Sequence, residues 1–390
     1  MDFELDSEQS ALREAVRDLL TDTYPTTEER RAAQADEPGF GEKAWTQLAE
    51  MGVLGLPFGE DVGGMGAGPV EIGVVAEEFG RVLAPEPFVE AVVLAGGLVD
   101  AVGTPEQRGD LLPGLCDGAS VFAFAHAEPG SRWSPQAHAV RAEPAAGGWQ
   151  LTGVKSPVVA GARADVLVVS AATDAGTELF VVRGDAGRRE SFVSTDGSRV
   201  ATITFEATPA ELLGRGGVDR TDDIGQALAR ARIASCREAV GAMERALWIT
   251  VDYLKTRKQF GVTLSTFQAL RFRAADMYVE LELARSVALW ATLVLDAAGE
   301  PGSDLADAVL DAASRASLQV AAGARLVGQE AVQLHGGIAM TAEYSAGHYL
   351  ARLLVLTHAH GDRTHHLGAL AAGLRDHAWV DPLGYGAVSA

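Results

Sequence analysis

The spacing of apolar residues changes twice along the chain, and this change constrains the fold more than any single motif. From Ser7 to about Gly118, apolar side chains recur at the intervals of amphipathic helices. From about residue 120 they form short β-rich runs separated by Gly, Pro, Asp and Ser, and after the Gly-rich stretch 214–223 the helical spacing returns. The pattern predicts an α+β fold that is mostly helical. The three predicted domains cover residues 1–119, 120–213 and 214–390.

The middle domain is predicted to be a small antiparallel β unit. In Val200–Glu206, alternation places Ala201, Ile203 and Phe205 on one face and two threonines on the other, which is typical of a half-buried strand. The long helical segments that follow are joined by short loops. This arrangement favours a four-helix bundle for the C-terminal domain.

The charge balance excludes several classes of partner. The 390 residues include 32 Lys and Arg against 53 Asp and Glu, a formal net charge of −21, and 47% are hydrophobic. That hydrophobic content suffices for buried cores, whereas the acidic surface repels nucleic acid and anionic membranes. The start, MDFELDSEQS, lacks a signal-peptide pattern, and no apolar run approaches the roughly 18 residues of a membrane helix. We expect a cytoplasmic protein whose isolated Cys116 and Cys236 are buried thiols.

Two stretches suit an anionic dinucleotide. The first, YLKTRKQFGVTLSTF, contains Arg257, whose fork of donors matches a pyrophosphate, and Phe260, which offers an apolar surface. The second, QLHGGIAMTAE, contains Gly336 and Gly337, where backbone amides can approach a ligand without side-chain obstruction. Taken alone, Arg257 would be interpreted as one half of a surface ion pair.

Together with the Glu128-Pro129 pair, the LTGVK segment and the domain order, these stretches resemble the acyl-CoA dehydrogenases over essentially the whole chain. The resemblance implies an N-terminal helical domain, a central antiparallel β domain and a C-terminal four-helix bundle. It also implies FAD as cofactor, an acyl-CoA substrate, an electron-transfer acceptor, and a homo- or hetero-tetramer with a homologous subunit. By the resemblance, Arg257, Gln259 and Phe260 contact the FAD of a neighbouring subunit, and Gln333, Gly336 and Gly337 contact its adenosine side.

The strand VFAFAHAEP is similar to the wall that faces the flavin ring in this family, with Phe124, His126 and Ala127 at the ring. The family usually has Thr where this chain has Ala127, and its second strand supplies Trp and Thr where this chain has Pro157 and Val159. Loss of a hydroxyl near flavin N5 removes a hydrogen bond that positions the ring. The resemblance is therefore weakest at the flavin wall.

The catalytic base of the family is missing from its usual place. Counting from Gln333, the position of the usual Glu is held by His360, and a second family position for it is held by Ala231. Glu238 lies seven residues after Ala231, about two helical turns later, and so on nearly the same face. A subgroup acting on steroid-chain thioesters has Glu in a similar setting, which makes Glu238 the best candidate base.

The alternative is that Glu238 is solvated or paired on a charged helix face. His360 could serve as a neutral base or hydrogen-bond donor.

The segment THAHGDRTHH has the spacing of a metal signature. His358, His360 and Asp362 imitate H-x-H-x-D, and imidazole with carboxylate is a sound ligand set. Arg363 occupies the position of the final His, and the flanking pattern is helical. We predict no metal site here, but a polar loop and helix start at the flavin-facing end of the bundle.

Three functions stay open. The chain is either an FAD-dependent acyl-CoA dehydrogenase subunit that desaturates a thioester, with steroid side-chain CoA as the leading class, or a non-catalytic FAD-holding partner in an α2β2 enzyme. The third is a different flavin reaction on the same scaffold, such as oxygenation. Compared with the usual residues of the family, those that would serve a neighbour's cofactor are the same. In the chain's own site, the residues at positions 127, 159 and 360, namely Ala127, Val159 and His360, differ from the usual ones. This asymmetry favours the partner hypothesis.

Overall fold

The computed structural model describes residues 5–299 and 305–373. The N-terminal part is helical. Its elements are α1 (Ser7–Thr23), α2 (Thr27–Ala35), α3 (Glu42–Glu50), α4 (Pro69–Val82), a π-helical segment (Phe88–Gly96), α5 (Gly97–Val102) and α6 (Pro105–Cys116). Asp6 begins α1 by accepting the backbone N–H groups of Glu8 and Gln9, both at 2.8 Å. The helices enclose a core that includes the fully buried Leu20 and Leu48.

Seven strands form the central sheet. They are β1 (Phe122–Ala125), β2 (Arg141–Ala145), β3 (Gly148–Val159), β4 (Val166–Thr173), β5 (Gly176–Arg183), β6 (Arg188–Val193) and β7 (Arg199–Leu212). The order is β1-β4-β2-β3-β7-β5, β6 pairs with β7, and a further β4/β5 pairing closes the sheet on itself. The alternation predicted for β7 is confirmed, since Ala201, Ile203 and Phe205 are buried while Thr202 and Thr204 are only half-buried.

The sheet departs in one respect from the predicted antiparallel unit. Strand β1 pairs with β4 in parallel, and a single parallel bridge joins Arg141 of β2 to Ala172 of β4. The other pairs are antiparallel. Alternation within a strand reveals which face is buried but not which strand lies beside it, so the parallel pair was not predicted.

The C-terminal part is a bundle of long helices. Its elements are α7 (Thr221–Thr256), a hairpin of β8 (Lys258–Gln259) and β9 (Val262–Thr263), α8 (Gln268–Ala298), α9 (Ala306–His335), α10 (Ser345–Leu356) and α11 (Arg363–Ala372). Small buried residues such as Ala246, Ala284 and Ala324 let these helices pack closely. The predicted helical, β, helical order is confirmed. No helix of the described residues is both long and apolar enough to cross a membrane.

Helices α4 and α7 cross at unusually short range, and this crossing positions Glu238. A Cβ added at Gly241 would lie 1.9 Å from the carbonyl oxygen of Glu77, and one added at Gly80 would lie 1.9 Å from that of Glu238. Only glycine fits at either position without moving a backbone. The backbone of Glu238 is therefore held directly against α4.

Candidate active site

A cleft opens where the three domains meet, and we call it the junction cleft. It brings together two residues that the sequence assigned to the site, Val159 of the predicted flavin wall and the candidate base Glu238. The π-helical segment and the turn between β6 and β7 complete its walls. Other residues that line it include Arg30, Gln34, Glu86, Phe88, Glu90, Asp196, Ser198 and Arg352. Apolar residues such as Phe79, Leu83 and Val355 make up most of the rest of the lining, so the cleft combines an apolar wall with a few charged side chains.

Glu238 is buried and ion-paired. Its Oε1 accepts from Nε of Arg352 at 2.7 Å, and Nη1 of Arg352 donates to Asp196 at 2.9 Å. Burial raises the pKa of Glu238, and the nearby Arg352 acts in the opposite direction. The neighbouring Arg237 contacts Glu77 instead, at 3.0 Å. The structure shows Glu238 as a paired carboxylate whose partner lies on α10 rather than on its own helix, and its role as the base stays a prediction.

His360 is paired with a carboxylate as well. Its Nε2 lies 3.2 Å from Oε1 of Glu90, in the π-helical segment. Burial alone would raise the pKa of Glu90, but His360 and Arg352 together bring it below its ordinary value. The backbone carbonyl of His360 accepts from Nε of Arg232 at 2.7 Å. Ala231, at the second family position for the base, is fully buried.

The predicted flavin wall is occupied by its own side chains. The imidazole of His126 stacks on Phe124 with ring centroids 5.0 Å apart, and both of its nitrogens have partners at 2.8 Å, Ser170 Oγ and the carbonyl of Ser134. Burial lowers the pKa of His126 to about 4, so the ring is neutral near pH 7. Ala127 and Val159 add no hydroxyl.

A buried ion pair behind the wall was missed by the sequence reasoning. Lys155 Nζ donates to Glu128 Oε1 at 2.8 Å and to the carbonyl of His126 at 2.9 Å. Glu128 also accepts three backbone N–H groups, those of His138, Ala139 and Val140. Burial lowers the pKa of Lys155 to about 8 even with this partner. Both residues lie in segments on which the resemblance rests, the Glu128-Pro129 pair and LTGVK. The sequence therefore contained a signal for this pair, but the contact between the two side chains was not inferred.

The loop after β1 is tied to the bundle. Nε1 of Trp133 donates to the carbonyl of His358 at 3.0 Å, and the indole stands beside the ring of His365 with centroids 5.7 Å apart. This contact joins the loop that follows the predicted flavin wall to the segment predicted to form the flavin-facing end of the bundle. Nothing in the local sequence pattern indicated it.

The predicted dinucleotide residues lie together on the surface. The rings of Tyr253 and His335 are 4.5 Å apart, which places the hairpin after α7 beside the turn after α9. The hairpin contains Phe260, which is 91% exposed and has φ of +53°. Arg257, Gln259, Gln333, Gly336 and Gly337 are also exposed. Among the described residues, no carboxylate lies within ion-pair distance of Arg257, so its guanidinium is open to a ligand or another chain.

Comparison with known proteins decides the family. The N-terminal domain model of the acyl-CoA dehydrogenases matches residues 6–119, and their C-terminal domain model matches residues 221–374. Acyl-CoA dehydrogenase FadE27 of Mycobacterium tuberculosis H37Rv is 30% identical over 339 residues, which are 85% of this chain and 88% of that protein. The chain belongs to the acyl-CoA dehydrogenase family. Its homologues are oxidoreductases.

Solved structures of acyl-CoA dehydrogenases share the whole architecture. The Tcur3481-Tcur3483 steroid acyl-CoA dehydrogenase is 32% identical with a TM-score of 0.84, covering 95% of this chain and 98% of that one. The ChsE4-ChsE5 complex of Mycobacterium tuberculosis is 25% identical with a TM-score of 0.84, covering 97% and 100%. The predicted acyl-CoA dehydrogenase-like fold is therefore confirmed.

The His-rich segment of this acyl-CoA dehydrogenase is engaged in local contacts. His358 Nδ1 lies 2.8 Å from the carbonyl of Leu354, and Asp362 caps α11 by accepting the N–H of His365 at 2.8 Å. In the part of the chain that the structure describes, no group of three or more His, Cys, Asp or Glu residues is arranged to hold a metal ion.

Proposed function

We propose that this chain is the non-catalytic partner subunit of a heteromeric α2β2 acyl-CoA dehydrogenase, and that it holds FAD for a homologous catalytic chain. The observation that carries the proposal is the state of the two candidate bases. Glu238 is held in an ion pair with Arg352, and the usual position of the catalytic carboxylate is occupied by the imidazole of His360. A general base must reach the proton at the α carbon of the thioester.

The chain's own flavin wall does not fit a flavin ring. Ala127 and Val159 have no hydroxyl for the ring, and the nitrogens of His126 are used within the β domain. The resemblance places the flavin ring between this wall and the end of the bundle. Trp133, in the loop after the wall, bonds directly to His358 of the bundle and so joins these two sides.

The surface hairpin, by contrast, fits the phosphate and adenosine side of FAD. Arg257 is exposed without a carboxylate partner among the described residues, and added Cβ atoms at Gly336 and Gly337 would meet nothing within 4 Å. A guanidinium fork and open backbone amides are suited to a pyrophosphate. Arg257, Gln259 and Phe260 would hold the cofactor from one side, and Gln333 with the two glycines from the other. Bound FAD would accept the hydride when an acyl-CoA is desaturated between its α and β carbons.

The relatives support a heteromer and suggest its substrate. Tcur3481-Tcur3483 and ChsE4-ChsE5 are each named as a pair of proteins, and the first is described as a steroid acyl-CoA dehydrogenase. We therefore propose steroid side-chain CoA thioesters as the substrate class of the assembled enzyme and an electron-transfer protein as its acceptor.

Co-expression with a homologous chain tests this function. The chain alone should contain little FAD and oxidise acyl-CoA poorly, whereas the complex should contain about one FAD per two chains and turn over. In the complex, R257Q should weaken FAD binding by about tenfold or more, as loss of a charge-assisted hydrogen bond does. The neighbouring exposed Lys258 provides the control, and K258Q should retain FAD. Rapid turnover by the lone chain would reject the partner role.

One observation favours a second candidate, a chain that is itself catalytic. An imidazole held by a carboxylate, as His360 is by Glu90, is an arrangement found in general bases. Under this alternative the lone chain bleaches FAD with acyl-CoA, H360Q abolishes the bleaching, and H358Q, at the exposed histidine two residues earlier, does not.

A further inference from the structure

Arg232 is a half-buried cation that has no carboxylate partner among the described residues. It lies on α7, and its Nε donates to the carbonyl of His360 at 2.7 Å. Burial lowers the pKa of its guanidinium to about 10. Within the described part of the chain, no Asp or Glu oxygen lies within 4 Å of this group. A cation partly removed from water without a counter-charge is costly, because the hydration that it loses is not replaced.

The side chain of Arg232 lines a small cavity between α7, α9 and the start of α11, which we call the Arg232 cavity. Its other lining residues include Ser235, Cys236, Ser317, Leu356, His360 and His366. The space is sufficient for about one or two water molecules. It can take the head group of a small anion but not a whole cofactor or acyl chain.

A second polar group in the cavity wall also lacks a partner. His366 is 2% exposed, and its Nδ1 has no hydrogen-bond partner in the structure. Burial and the nearby Arg232 lower the pKa of this imidazole to about 4, although its hydrogen bond to the Gly361 backbone acts in the opposite direction, so the ring is neutral near pH 7 and carries a single N–H. An anion in the cavity would compete with the Gly361 backbone for this proton and would favour the tautomer with the proton on Nδ1.

The other groups near the cavity do not supply the missing negative charge. Burial raises the pKa of the Cys236 thiol to about 12, so it stays protonated. Ser317 gives its proton to the carbonyl of Ala313 at 2.8 Å. Asp362 accepts the N–H of His365, and Glu90 pairs with His360. The cavity therefore combines the cation of Arg232 with the neutral imidazole of His366 and the neutral thiol of Cys236, beside His360, which is turned toward Glu90.

We propose that the Arg232 cavity is a binding site for a small anion of the carboxylate class, held between the guanidinium of Arg232 and Nδ1 of His366. The anion supplies the counter-charge for Arg232 and the partner for His366. This site is independent of the proposed partner function, because it needs neither FAD nor a second chain.

Bromide is the first probe, because its anomalous scattering identifies it directly. Crystals of the full chain, or of its complex, are soaked in sodium bromide and measured at the bromine absorption edge. We expect an anomalous peak in the Arg232 cavity within contact distance of the guanidinium. Absence of a peak there, in crystals with bromide bound elsewhere, would overturn the proposal without any variant.

Formate tests the same site in solution. The melting temperature is followed while sodium formate replaces sodium gluconate at constant ionic strength, and it should rise with formate because a ligand of the folded state stabilises it. R232Q should weaken formate binding by about tenfold or more. The control is R230Q, which removes the same charge two residues earlier on α7, where Arg230 is half-buried, does not line the cavity and donates to the carbonyl of Gly299. An equal formate response in R232Q and the wild type would contradict the site.

Hexanoate distinguishes two sources of the carboxylate. If the natural ligand is a free small acid, formate should bind at least as well as hexanoate. If it is the end of a longer chain that runs past Leu356, hexanoate should bind about tenfold or more tightly than formate, through burial of its methylene groups. In both cases the tighter of the two acids should lose its effect in R232Q.

Discussion

Glu238, Arg352 and Asp196 form one buried charge cluster built from three elements: α7, α10 and the turn between β6 and β7. Removing one member of a buried ion pair costs about 3–5 kcal/mol, so the three groups depend on one another. Helical spacing placed Glu238 on the face expected for a base. It could not reveal Arg352, which lies 114 residues later in the chain.

Glu128 and Lys155 lead to a prediction about acid stability. The pKa of Glu128 lies at about 2: burial would raise it above its ordinary 4.5, but Lys155 and the backbone N–H groups outweigh burial. A carboxyl with a depressed folded-state pKa stabilises the fold above its unfolded pKa, and this contribution is lost as the pH falls toward the folded value. We expect E128Q to be less stable than the wild type at pH 7 by about 3 kcal/mol, because it leaves Lys155 buried without its counter-ion.

Urea unfolding at a series of pH values measures this difference. The difference in the free energy of unfolding between E128Q and the wild type should become smaller as the pH falls from 4.5 to 2. E206Q, at an exposed glutamate of β7, provides the control and should follow the wild type throughout. A gap that stays constant down to pH 2 would show that the ion pair does not carry the effect.

At the scale of elements, the crossing of α4 and α7 leads to a prediction about packing. In G241A the added methyl would lie 1.9 Å from the carbonyl oxygen of Glu77, so the two helices must move apart, and we expect a loss of about 3 kcal/mol. Gly225 on the same helix has nothing within 4 Å of its added Cβ, so G225A should stabilise the protein by about 0.5–1 kcal/mol. Thermal unfolding of both variants measures the contrast. Equal effects of the two substitutions would show that the close contact between α4 and α7 does not limit which residue fits at position 241.

The sequence predicted the helices and strands better than it predicted which of them lie side by side. Periodicity is a local property, so it gave the helical and β regions, the buried face of β7 and the start of α10 at Ser345. The parallel pairing of β1 with β4 depends on chain topology, which alternation does not encode. For the site, the resemblance indicated Val159 and Glu238, and both line the junction cleft. The bond from Trp133 to His358 spans 225 residues, and no local pattern could have indicated it.

At the scale of the whole molecule, α8 presents an apolar stripe to solvent. Phe272, Val279, Leu283 and Trp290 are 60%, 54%, 48% and 42% exposed, and their spacing of seven, four and seven residues places them on one helix face. Large exposed apolar surfaces on a folded chain mark contacts with other proteins. The stripe therefore supports the proposed tetramer, in which the exposed Arg257 would reach the cofactor of a neighbouring subunit.

A charge placed in this stripe should break the assembly. L283E would bury a carboxylate without a partner in an apolar interface, so the assembly should dissociate into smaller species while the subunit stays folded. Light scattering coupled to size-exclusion chromatography gives the mass, and circular dichroism checks the fold. L367E, at a leucine of α11 that is 55% exposed, makes the same change outside the stripe and should leave the mass unchanged. Because the proposed function has Arg257 holding FAD for a neighbouring subunit, L283E should lose FAD together with the larger mass. An unchanged mass for L283E would place the subunit contact on another surface.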